Sequence, residues 1–283
     1  MTFPLSPPHP LLYERLLTTA FEEDLGRAGD LTTEAVVPSD SVARGAIVAR
    51  QRGVLAGVEV AARAFARYDP AVGVDIAVVD GSEVVPGTTL AVVEGPARSL
   101  LTAERTALNL LGRLSGIATV TASVVAAVAG TGAAVVCTRK TTPGLRALEK
   151  YAVRAGGGAN HRFGLDDAVL VKDNHLAIAG SVTEAVARVR RRVGHLVKVE
   201  VEVDTLDQLD ELLAVGADAV LLDNLGPDRL ATAVQRVAGR MITEASGGIT
   251  PEGAAAVARS GVDLLSLGWL THSPRSFDVG LDL

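Results

Sequence analysis

The stretch VKVEVEVDTLDQLDELLAVGADAVLLDN, residues 197–224, contains the pattern that decides the fold. Its two ends are rich in valine and leucine, as buried strands are, and residues 206–214 between them have the leucine spacing of a helix. A strand, a helix and a second strand in this order form a βαβ unit, in which both strands run parallel. The stretch therefore predicts a parallel sheet covered by helices.

The same alternation extends over the C-terminal half of the chain. Six apolar runs, each followed by a loop or a helix-like segment, are predicted strands. They are AAVVCTRK (133–140), AVLVKDNH (168–175), VKVEVEV (197–203), ADAVLLDN (217–224), MITEASGG (241–248) and VDLLSLGW (262–269). Six units are fewer than the eight of a complete barrel, so we expect an open, incomplete α/β barrel of about six parallel strands. A doubly wound open sheet is the alternative, but no GxGxxG fingerprint follows any run.

The N-terminal part predicts a smaller α/β (α+β) domain. Residues 11–25 have helical spacing and end at Gly26, a typical C-cap, and residues 44–96 are predicted to form a small antiparallel sheet with a helix at 58–68. Asp30 is expected to take part in local capping. Two further helices are predicted, at 100–114 and at 117–129.

Three regions follow from these elements. Residues 1–114 are expected to form the N-terminal domain and residues 115–270 the catalytic barrel, with a tail at 271–283 that packs back on the first domain. Residues 114–138 carry no charge over a length that could span a bilayer, but Gly130 and Gly132 interrupt them. A buried helix, a turn and a buried strand are expected there, and no membrane partner.

Bulk composition limits the class of protein. The 283 residues include 27 Lys plus Arg against 33 Asp plus Glu, and 48% are hydrophobic while 3% are aromatic. An acidic chain of this kind lacks the broad basic face that nucleic acids need, so no such partner is expected. The single cysteine, Cys137, excludes an intramolecular disulfide and is expected to be a buried apolar residue. The N-terminus lacks the pattern of a secretory signal, and a cytoplasmic location is favoured.

One basic segment stands out from this acidic background. Residues 137–175 hold seven Lys and Arg against four Asp and Glu, which indicates an anionic small ligand. Part of the segment has the charge spacing of a solvent-exposed helix face. The residues with that spacing are Arg146, Glu149, Lys150 and Arg154.

Polar side chains follow nearly every predicted strand at its C-terminal end, where parallel α/β folds form ligand sites. They are Arg139 and Lys140, Lys172 and Asn174, Glu202, Asp223 and Asn224, and Ser246-Gly247-Gly248. With His161 and Arg162 added, the cations at this edge exceed what one carboxylate requires. Ligands with several negative charges are therefore expected.

Two acidic positions complete the predicted site. Glu200 and Glu202 alternate with valine, so both lie on one face of their strand together with Lys198. A structural pair of Lys198 with Glu200 is an equally good reading of Glu200, whereas Glu202 lies nearer the C-terminal edge, beside Asp223. The last two acids could hold Mg²⁺ through a polyphosphate or stabilise positive charge on a sugar.

A glycine loop offers a place for phosphate. Ser246-Gly247-Gly248 lies just before a predicted helix N-terminus, and Leu267-Gly268 follows the last strand, the position at which barrels hold phosphate groups. The histidines have no HxH or HExxH spacing, and His175 and His272 are expected to be structural. No Ser-His-Asp arrangement is present.

Long motifs carry a family resemblance. They are EDLGRAGDLTT, ERTALNLLGRLSGIAT, TRKTTPGLRALEKYAVRAGGGANHR, DAVLVKDNH, VEVEVDTLDQ, AVLLDN and EASGGIT. The chain resembles the quinolinate phosphoribosyltransferases, and the motifs cover most of its length. The resemblance implies an N-terminal α/β domain, an open α/β barrel and a homodimer or higher oligomer with sites between subunits.

It also implies a reaction, in which quinolinate and phosphoribosyl pyrophosphate give nicotinate mononucleotide, pyrophosphate and CO₂ with Mg²⁺. Quinolinate would be held by Arg139, His161, Arg162 and Lys172, with Arg105 reaching in from the other subunit. Lys140, Glu202 and Asp223 would be catalytic. Phosphoribosyl pyrophosphate would contact these three and Thr138, Ser246, Gly247, Gly248, Leu267 and Gly268.

Several alternatives remain open from the residues. Arg105 has a simpler reading as a surface partner of Glu104. A phosphoribosyltransferase of the same fold could use another ring acid, although four cations suit a dicarboxylate best. A barrel aldolase or epimerase acting on a sugar phosphate would use Lys140 or Lys172 as a Schiff base. A non-catalytic scaffold would have lost the polar strand ends.

Overall fold

A computed structural model describes residues 5–283 of the protein. Within that range the strands are β1 (Val42–Ala49), β2 (Gly53–Val54), β3 (Gly73–Ile76), β4 (Glu83–Val84), β5 (Thr89–Pro96), β6 (Ala134–Val136), β7 (Val169–Val171), β8 (Val199–Val203), β9 (Ala219–Asp223), β10 (Ile242–Ser246), β11 (Leu264–Ser266) and β12 (Val279–Asp282). The helices are α1 (Glu14–Leu25), α2 (Leu31–Val36), α3 (Val58–Tyr68), α4 (Ala97–Ala127), α5 (Arg146–Ala155), α6 (Asp173–Ala179), α7 (Val182–Arg192), α8 (Leu206–Val215), α9 (Pro227–Val237), α10 (Pro251–Ala258) and α11 (Trp269–His272).

The first compact unit contains residues 5–122, 140–157 and 269–283. Its main sheet has the strand order β12-β1-β5-β3 with antiparallel neighbours, and β2 pairs with β4 in a second, two-stranded sheet. The small antiparallel sheet predicted from the sequence is therefore confirmed. The last strand of the chain, β12, pairs with β1 from Ala46 opposite Asp282 to Ala49 opposite Val279.

The second unit contains residues 123–139 and 158–268 and is built on six parallel strands. Their order is β6-β11-β10-β9-β8-β7, so the first strand lies beside the last and the remaining strands follow in sequence. This is the order of a barrel with one open seam, between β6 and β7. In a doubly wound sheet the strand order would instead reverse partway across the sheet. The predicted open barrel is confirmed. At the seam, the Ala159 amide donates to the Val135 carbonyl at 2.8 Å.

Local sequence signals set three helix ends, of which those at Gly26 and Asp30 were expected. Gly26, with φ of 53°, ends α1. Asp30 is the N-cap of α2, and its carboxylate accepts from the Thr33 amide at 2.9 Å. Thr205 caps α8, and Gln208 closes a capping box with it, which satisfies two backbone donors of the first turn.

Helix α4 is one continuous helix of 31 residues, so the prediction of two helices at 100–114 and 117–129 is wrong. Gly112 and Gly116 of this helix allow another segment of the chain to pack closely against it. A Cβ atom on Gly116 would lie 2.2 Å from the Arg275 carbonyl oxygen, and one on Gly112 would lie 2.8 Å from that of Phe277. Because glycine has no Cβ, the C-terminal segment lies directly against this face of the helix, and the Phe277 amide donates to the Gly112 carbonyl at 2.8 Å.

By length and composition α4 could cross a membrane, and it is the one helix of residues 5–283 with that property. Half of its most apolar window is buried inside the protein, and core helices of soluble proteins pass the same test. The turn and strand predicted after it are present, since α4 ends at Ala127 and β6 begins at Ala134.

The predicted solvent-exposed face of α5 is wrong for two of its four charges. Glu149 is 0% exposed and Lys150 is 2% exposed, while Arg154 is exposed as expected. The Glu149 carboxylate accepts from Arg113 Nη2 at 2.8 Å and from the Thr142 hydroxyl at 2.8 Å. A buried carboxylate is stable only with such partners, which lie 36 and 7 residues away and leave no local signal in the sequence.

We expect the substitution Glu149→Ala to lower the free energy of unfolding by about 3–5 kcal/mol, since it leaves the Arg113 guanidinium without its buried partner. Equilibrium unfolding in urea would measure this change. Arg154→Ala, on the exposed face of the same helix, is the matched control and should change stability by less than about 0.5 kcal/mol. Equal effects of the two substitutions would contradict a structural role for Glu149.

Candidate active site

The carboxyl ends of the parallel strands bring charged side chains together in the second unit. Glu200 and Glu202, both on β8, are 9% and 7% exposed, so the predicted inward face of this strand is buried. Lys172, which follows β7, donates to Glu202 on the neighbouring strand β8, with 2.7 Å between Nζ and Oε2. Register explains this contact because Val171 of β7 is aligned with Val201 of β8.

Glu200 has a partner other than the one expected. Lys198 lies 2.5 Å from Asp218, so the predicted pair of Lys198 with Glu200 is wrong. Glu200 Oε2 lies instead 2.8 Å from His161 Nε2, and Glu244 Oε1 lies 3.6 Å from the same nitrogen. The reason is that Lys198 precedes β8, whereas Glu200 is level with the loop that carries His161.

Arg162 and Arg139 form a cationic pair beside these acids. Burial first, and then repulsion from Arg139, lower the pKa of the Arg162 guanidinium. Its Nη1 donates to the Ala168 carbonyl at 3.0 Å, whereas its buried Nε has no hydrogen-bond partner among residues 5–283. A buried charged donor without a partner is costly, so the geometry is suited to an incoming anion.

A second acidic group lies at the ends of β8 and β9. Burial first, and then the Asp204 carboxylate, raise the pKa of Asp223, while Lys172 and a hydrogen bond from Ser246 lower it. Ligand oxygens of Glu202, Asp204 and Asp223 all lie within 4.8 Å of one another. Three carboxylates in this arrangement are a donor set that fits Mg²⁺, which prefers oxygen ligands.

The loop after β10 has a backbone conformation that requires glycine. Gly247 has φ of 87°, and a Cβ atom there would lie 2.2 Å from Asn224 Oδ1, so only glycine fits. Asn224, itself at φ of 54°, donates its amide to the Ser246 carbonyl at 3.0 Å. Helix α10 begins three residues after Gly248, with Thr250 as its N-cap.

The remaining predicted residues are distributed between the units. Leu267 is buried and donates its amide to the Val136 carbonyl at 3.0 Å, so its backbone donor is already used within the protein. Thr138 and Gly268 are half-buried in the second unit. Lys140 belongs to the first unit, where its carbonyl accepts from Thr271. Arg105 is also in the first unit, on α4; its side chain is 65% exposed and lies 3.6 Å from Glu104.

Two histidines and the cysteine have the structural surroundings expected of them. His175 Nδ1 accepts from the Lys172 amide at 2.8 Å in the first turn of α6. His272 is within 2.6 Å of the Ser273 hydroxyl. Cys137 is fully buried, with Sγ 3.3 Å from Asn160 Oδ1.

Sequence reasoning missed Glu244, the most buried carboxylate of this unit's site at 1% exposure. Burial first, and then the Glu200 carboxylate, raise its pKa to about 7. The signal was present in MITEASGG, because strand alternation puts Glu244 on the same face as Ser246. Asp204 was also missed, since it follows the strand rather than ending it.

The raised pKa of Glu244 should make stability depend on pH. The unfolded side chain titrates near 4.5 and the folded one at about 7, so the stability from this group is complete below pH 4.5 and is lost as the pH rises through 7. From about pH 5 to about pH 8, the wild-type chain should therefore lose unfolding free energy relative to Glu244→Gln. Urea unfolding across this range would measure the difference, with exposed Glu252→Gln as the control. Parallel pH curves for wild type and Glu244→Gln would rule the titration out.

Comparisons with known proteins agree over nearly the whole chain. The family model "Quinolinate phosphoribosyl transferase, N-terminal domain" matches residues 30–115, and that for the C-terminal domain matches residues 117–282. The chain is 50% identical over 272 residues to the nicotinate-nucleotide pyrophosphorylase (carboxylating) of Mycobacterium leprae, an alignment that covers 93% of this chain and 94% of the relative.

Solved structures give the same result. The crystal structure of NadC from Streptococcus pyogenes matches with a TM-score of 0.95 and 39% identity over 98% of both chains. The nicotinate-nucleotide pyrophosphorylase from Francisella tularensis matches with a TM-score of 0.93 and 34% identity, over 100% of this chain and 99% of that one. The fold, the motifs and these matches lead to one conclusion: the chain belongs to the quinolinate phosphoribosyltransferase family.

Proposed function

We propose that the chain transfers the phosphoribosyl group of phosphoribosyl pyrophosphate to the ring nitrogen of quinolinate, with loss of one carboxylate as CO₂. The products are nicotinate mononucleotide and pyrophosphate, and the reaction belongs to NAD biosynthesis. Family membership supports the activity. One observation carries the assignment to this site: the buried Nε of Arg162, beside Arg139, has no hydrogen-bond partner among residues 5–283. Such a donor is suited to binding an anionic ring substrate.

Quinolinate occupies the cationic side of the site in this proposal. Arg139, Arg162 and Lys172 bind its two carboxylates, and His161 lies beside them. A dicarboxylate makes use of more cations than a monocarboxylate, and guanidinium groups match carboxylates with two hydrogen bonds. Lys172 shares its ammonium between Glu202 and the substrate, which is compatible with its 47% exposure.

Phosphoribosyl pyrophosphate occupies the acidic and glycine-rich side. Backbone amides of the loop after β10 hold the 5′-phosphate, and Glu202 and Asp223 lie at the ribose. Lys140 neutralises the pyrophosphate. The complete proposed set is Thr138, Lys140, Glu202, Asp223, Ser246, Gly247, Gly248, Leu267 and Gly268.

Mg²⁺ is the proposed cofactor. It would be held mainly through the pyrophosphate of the substrate, and Glu202 and Asp223, with Asp204 nearby, are the residues that could coordinate it. When bound, the ion supplies neutralisation of negative charge on the leaving group. Because Lys172 already pairs with Glu202, the protein ligands alone offer an incomplete set, which is why the substrate provides the rest.

The chain's own residues contribute electrostatics rather than a covalent intermediate. As the C1–O bond to pyrophosphate breaks, positive charge develops on the ribose, and the Glu202 and Asp223 carboxylates stabilise it. The ring nitrogen then forms its bond to C1 and becomes positively charged. As CO₂ leaves, the electron pair of the C–CO₂⁻ bond stays on the adjacent ring carbon, where the positive nitrogen stabilises it, and a solvent proton then binds to that carbon.

The active enzyme is a homodimer or a higher oligomer in this proposal, with Arg105 of each subunit completing the quinolinate site of the other. The 65% exposure of the Arg105 side chain supports it, since a cation in that position is available to a partner.

We also place the enzyme in the cytoplasm, because its one cysteine gains nothing from an oxidising compartment. Recovery of the native protein from a periplasmic fraction would contradict that location.

The direct test supplies quinolinate, phosphoribosyl pyrophosphate and Mg²⁺ and measures CO₂ and the mononucleotide. We expect equal amounts of both products, loss of turnover on chelation of Mg²⁺, and recovery when Mg²⁺ is added back. Nicotinate in place of quinolinate is the control. Product from nicotinate and none from quinolinate would identify a phosphoribosyltransferase for a different ring acid.

The electrostatic mechanism predicts that Glu202→Gln combined with Asp223→Asn lowers kcat by about 10²-fold or more, because both carboxylates beside the developing positive charge become neutral. Steady-state kinetics would measure this loss, and full turnover would contradict the mechanism. Glu22→Gln with Asp24→Asn, both exposed on α1, is a matched control for the loss of two acids.

The Glu202→Gln/Asp223→Asn variant also tests whether each site receives Arg105 from the other subunit. Alone, Arg105→Ala subunits should be nearly inactive for lack of the cross-subunit cation. Mixed and reassembled with the Glu202→Gln/Asp223→Asn subunits, they form heterodimers in which one site has every residue intact, so activity should return. Mixtures no more active than their components would exclude the donation of Arg105 between subunits.

A further inference from the structure

We infer that Glu244 is a positioning residue that keeps its proton and, together with Glu200, fixes the ring of His161 so that this ring holds the backbone of Arg162. This inference rests on the proposed function, because it assigns a purpose to groups that lie behind the quinolinate pocket. All four residues belong to the second unit.

The hydrogen bonds of His161 define its tautomer. The backbone N–H of Arg162 lies 2.7 Å from His161 Nδ1 and can only donate, so Nδ1 carries no hydrogen. The hydrogen of the ring is therefore on Nε2, which donates to Glu200 Oε2 at 2.8 Å. The imidazole is neutral, and both of its nitrogens are engaged within the protein.

A neutral imidazole cannot compensate two buried carboxylates. Glu200 accepts the Nε2 hydrogen, whereas Glu244 is 1% exposed and its Oε1 has no hydrogen-bond partner in the part of the chain that the structure describes. Lys172 is bonded to Glu202. An ionised Glu244 would then be a buried charge without a cation, whereas a protonated one can donate to Glu200.

The pKa of Glu244 agrees with this geometry. Burial is the largest cause of its rise to about 7, and the Glu200 carboxylate is the second. The other oxygen of Glu244 is near the Ser266 hydroxyl, which leaves Oε1 directed toward Glu200 and His161. Because ligand oxygens of Glu244 and Glu200 lie within 4.8 Å of each other, the neighbouring carboxylate favours the protonated form of Glu244.

A metal ion is the other reading of His161, Glu200 and Glu244, whose ligand atoms lie within 4.8 Å of one another. The 2.8 Å separation of Nε2 from Oε2 is that of a direct hydrogen bond. Two atoms bound to one ion at about 2.0–2.2 Å each would be about 3 Å or more apart. The described geometry therefore favours the proton over the ion.

The arrangement matters because Arg162 lies outside the strands, in the loop that begins at the open seam of the barrel. Glu244 on β10 and Glu200 on β8 are anchored in the sheet, and His161 connects that anchor to the Arg162 backbone. Without it, the guanidinium would be held mainly by its bond to the Ala168 carbonyl. Glu244 therefore sets the position of the quinolinate-binding arginine without touching the substrate.

Kinetics of two Glu244 variants test the inference. Glu244→Ala should raise the KM for quinolinate between about ten- and a hundredfold, since the arginine loses its fixed position. The KM for phosphoribosyl pyrophosphate should stay within about twofold. Glu244→Gln keeps the shape and a neutral donor toward Glu200, so its quinolinate KM should be close to that of the wild type.

The matched control is Thr243→Val, which alters the adjacent residue of β10 and removes its bond to Asp263. It should change stability but neither KM. The inference is overturned if Glu244→Gln and Glu244→Ala raise the quinolinate KM equally, if Glu244→Ala leaves it unchanged, or if both KM values rise together.

A second readout needs no substrate. Nitrogen-15 NMR of histidine-labelled protein, with the His161 signals assigned by their absence from His161→Asn, should show Nδ1 unprotonated and Nε2 protonated, and a mixture of tautomers in Glu244→Ala. An imidazolium or the opposite tautomer in the wild type would overturn the inference. If the wild type does not consume quinolinate, the proposed function fails while the tautomer result stands independently. If the purified wild-type protein contains a metal ion that is missing from Glu244→Ala, these residues form a metal site, and the inference that Glu244 keeps its proton is overturned.

Discussion

Four carboxylates line the inner face of the parallel sheet, and each must be compensated because burial penalises an isolated charge. Glu202 is compensated by Lys172, Glu200 by a hydrogen bond from His161, and Asp223 by Asn224 and Ser246. Glu244 receives only a hydroxyl, so we assign it a proton. The site is therefore a set of coupled acids and cations, in which the change of one residue alters the charge balance of the others.

Strand order explains why these groups meet. Parallel strands bring their carboxyl ends to one edge, and the register aligns Ser246 of β10 with Asp223 of β9, and Glu202 of β8 with Leu221 of β9. The acids occur on successive strands, whereas Arg139 follows β6 and Arg162 lies in the loop at the open seam. Barrel topology thus brings the acids of three strands next to cations from the segments that flank the seam.

The periodic part of the structure could be predicted from the sequence. All six parallel strands lie within the expected apolar runs, and the family and its activity were identified from long motifs. The domain boundaries at 114 and 270, the role of each site residue, the Mg²⁺ and the homodimer stay predictions.

The features that could not be predicted depend on contacts between residues far apart in the sequence. The partner of Glu149 is 36 residues away and that of Glu200 is 39 residues away, and no local pattern indicates either contact. The continuity of α4 and the close approach of the Arg275 carbonyl to Gly116 were likewise not predicted, because these two residues are remote in sequence.

The pairing of β12 with β1 has a consequence for the order of folding during synthesis. The first unit takes its edge strand, and the segment that lies against Gly112 and Gly116, from residues 269–283. The ribosome reaches these residues only after it has made the whole parallel sheet. The first unit therefore cannot be completed when its own N-terminal residues emerge, and until then β1 is an exposed edge strand that pairs only with β5. A premature stop codon that removes β12 should consequently destabilise the first unit, whose exposed β1 could then aggregate, more than it destabilises the barrel.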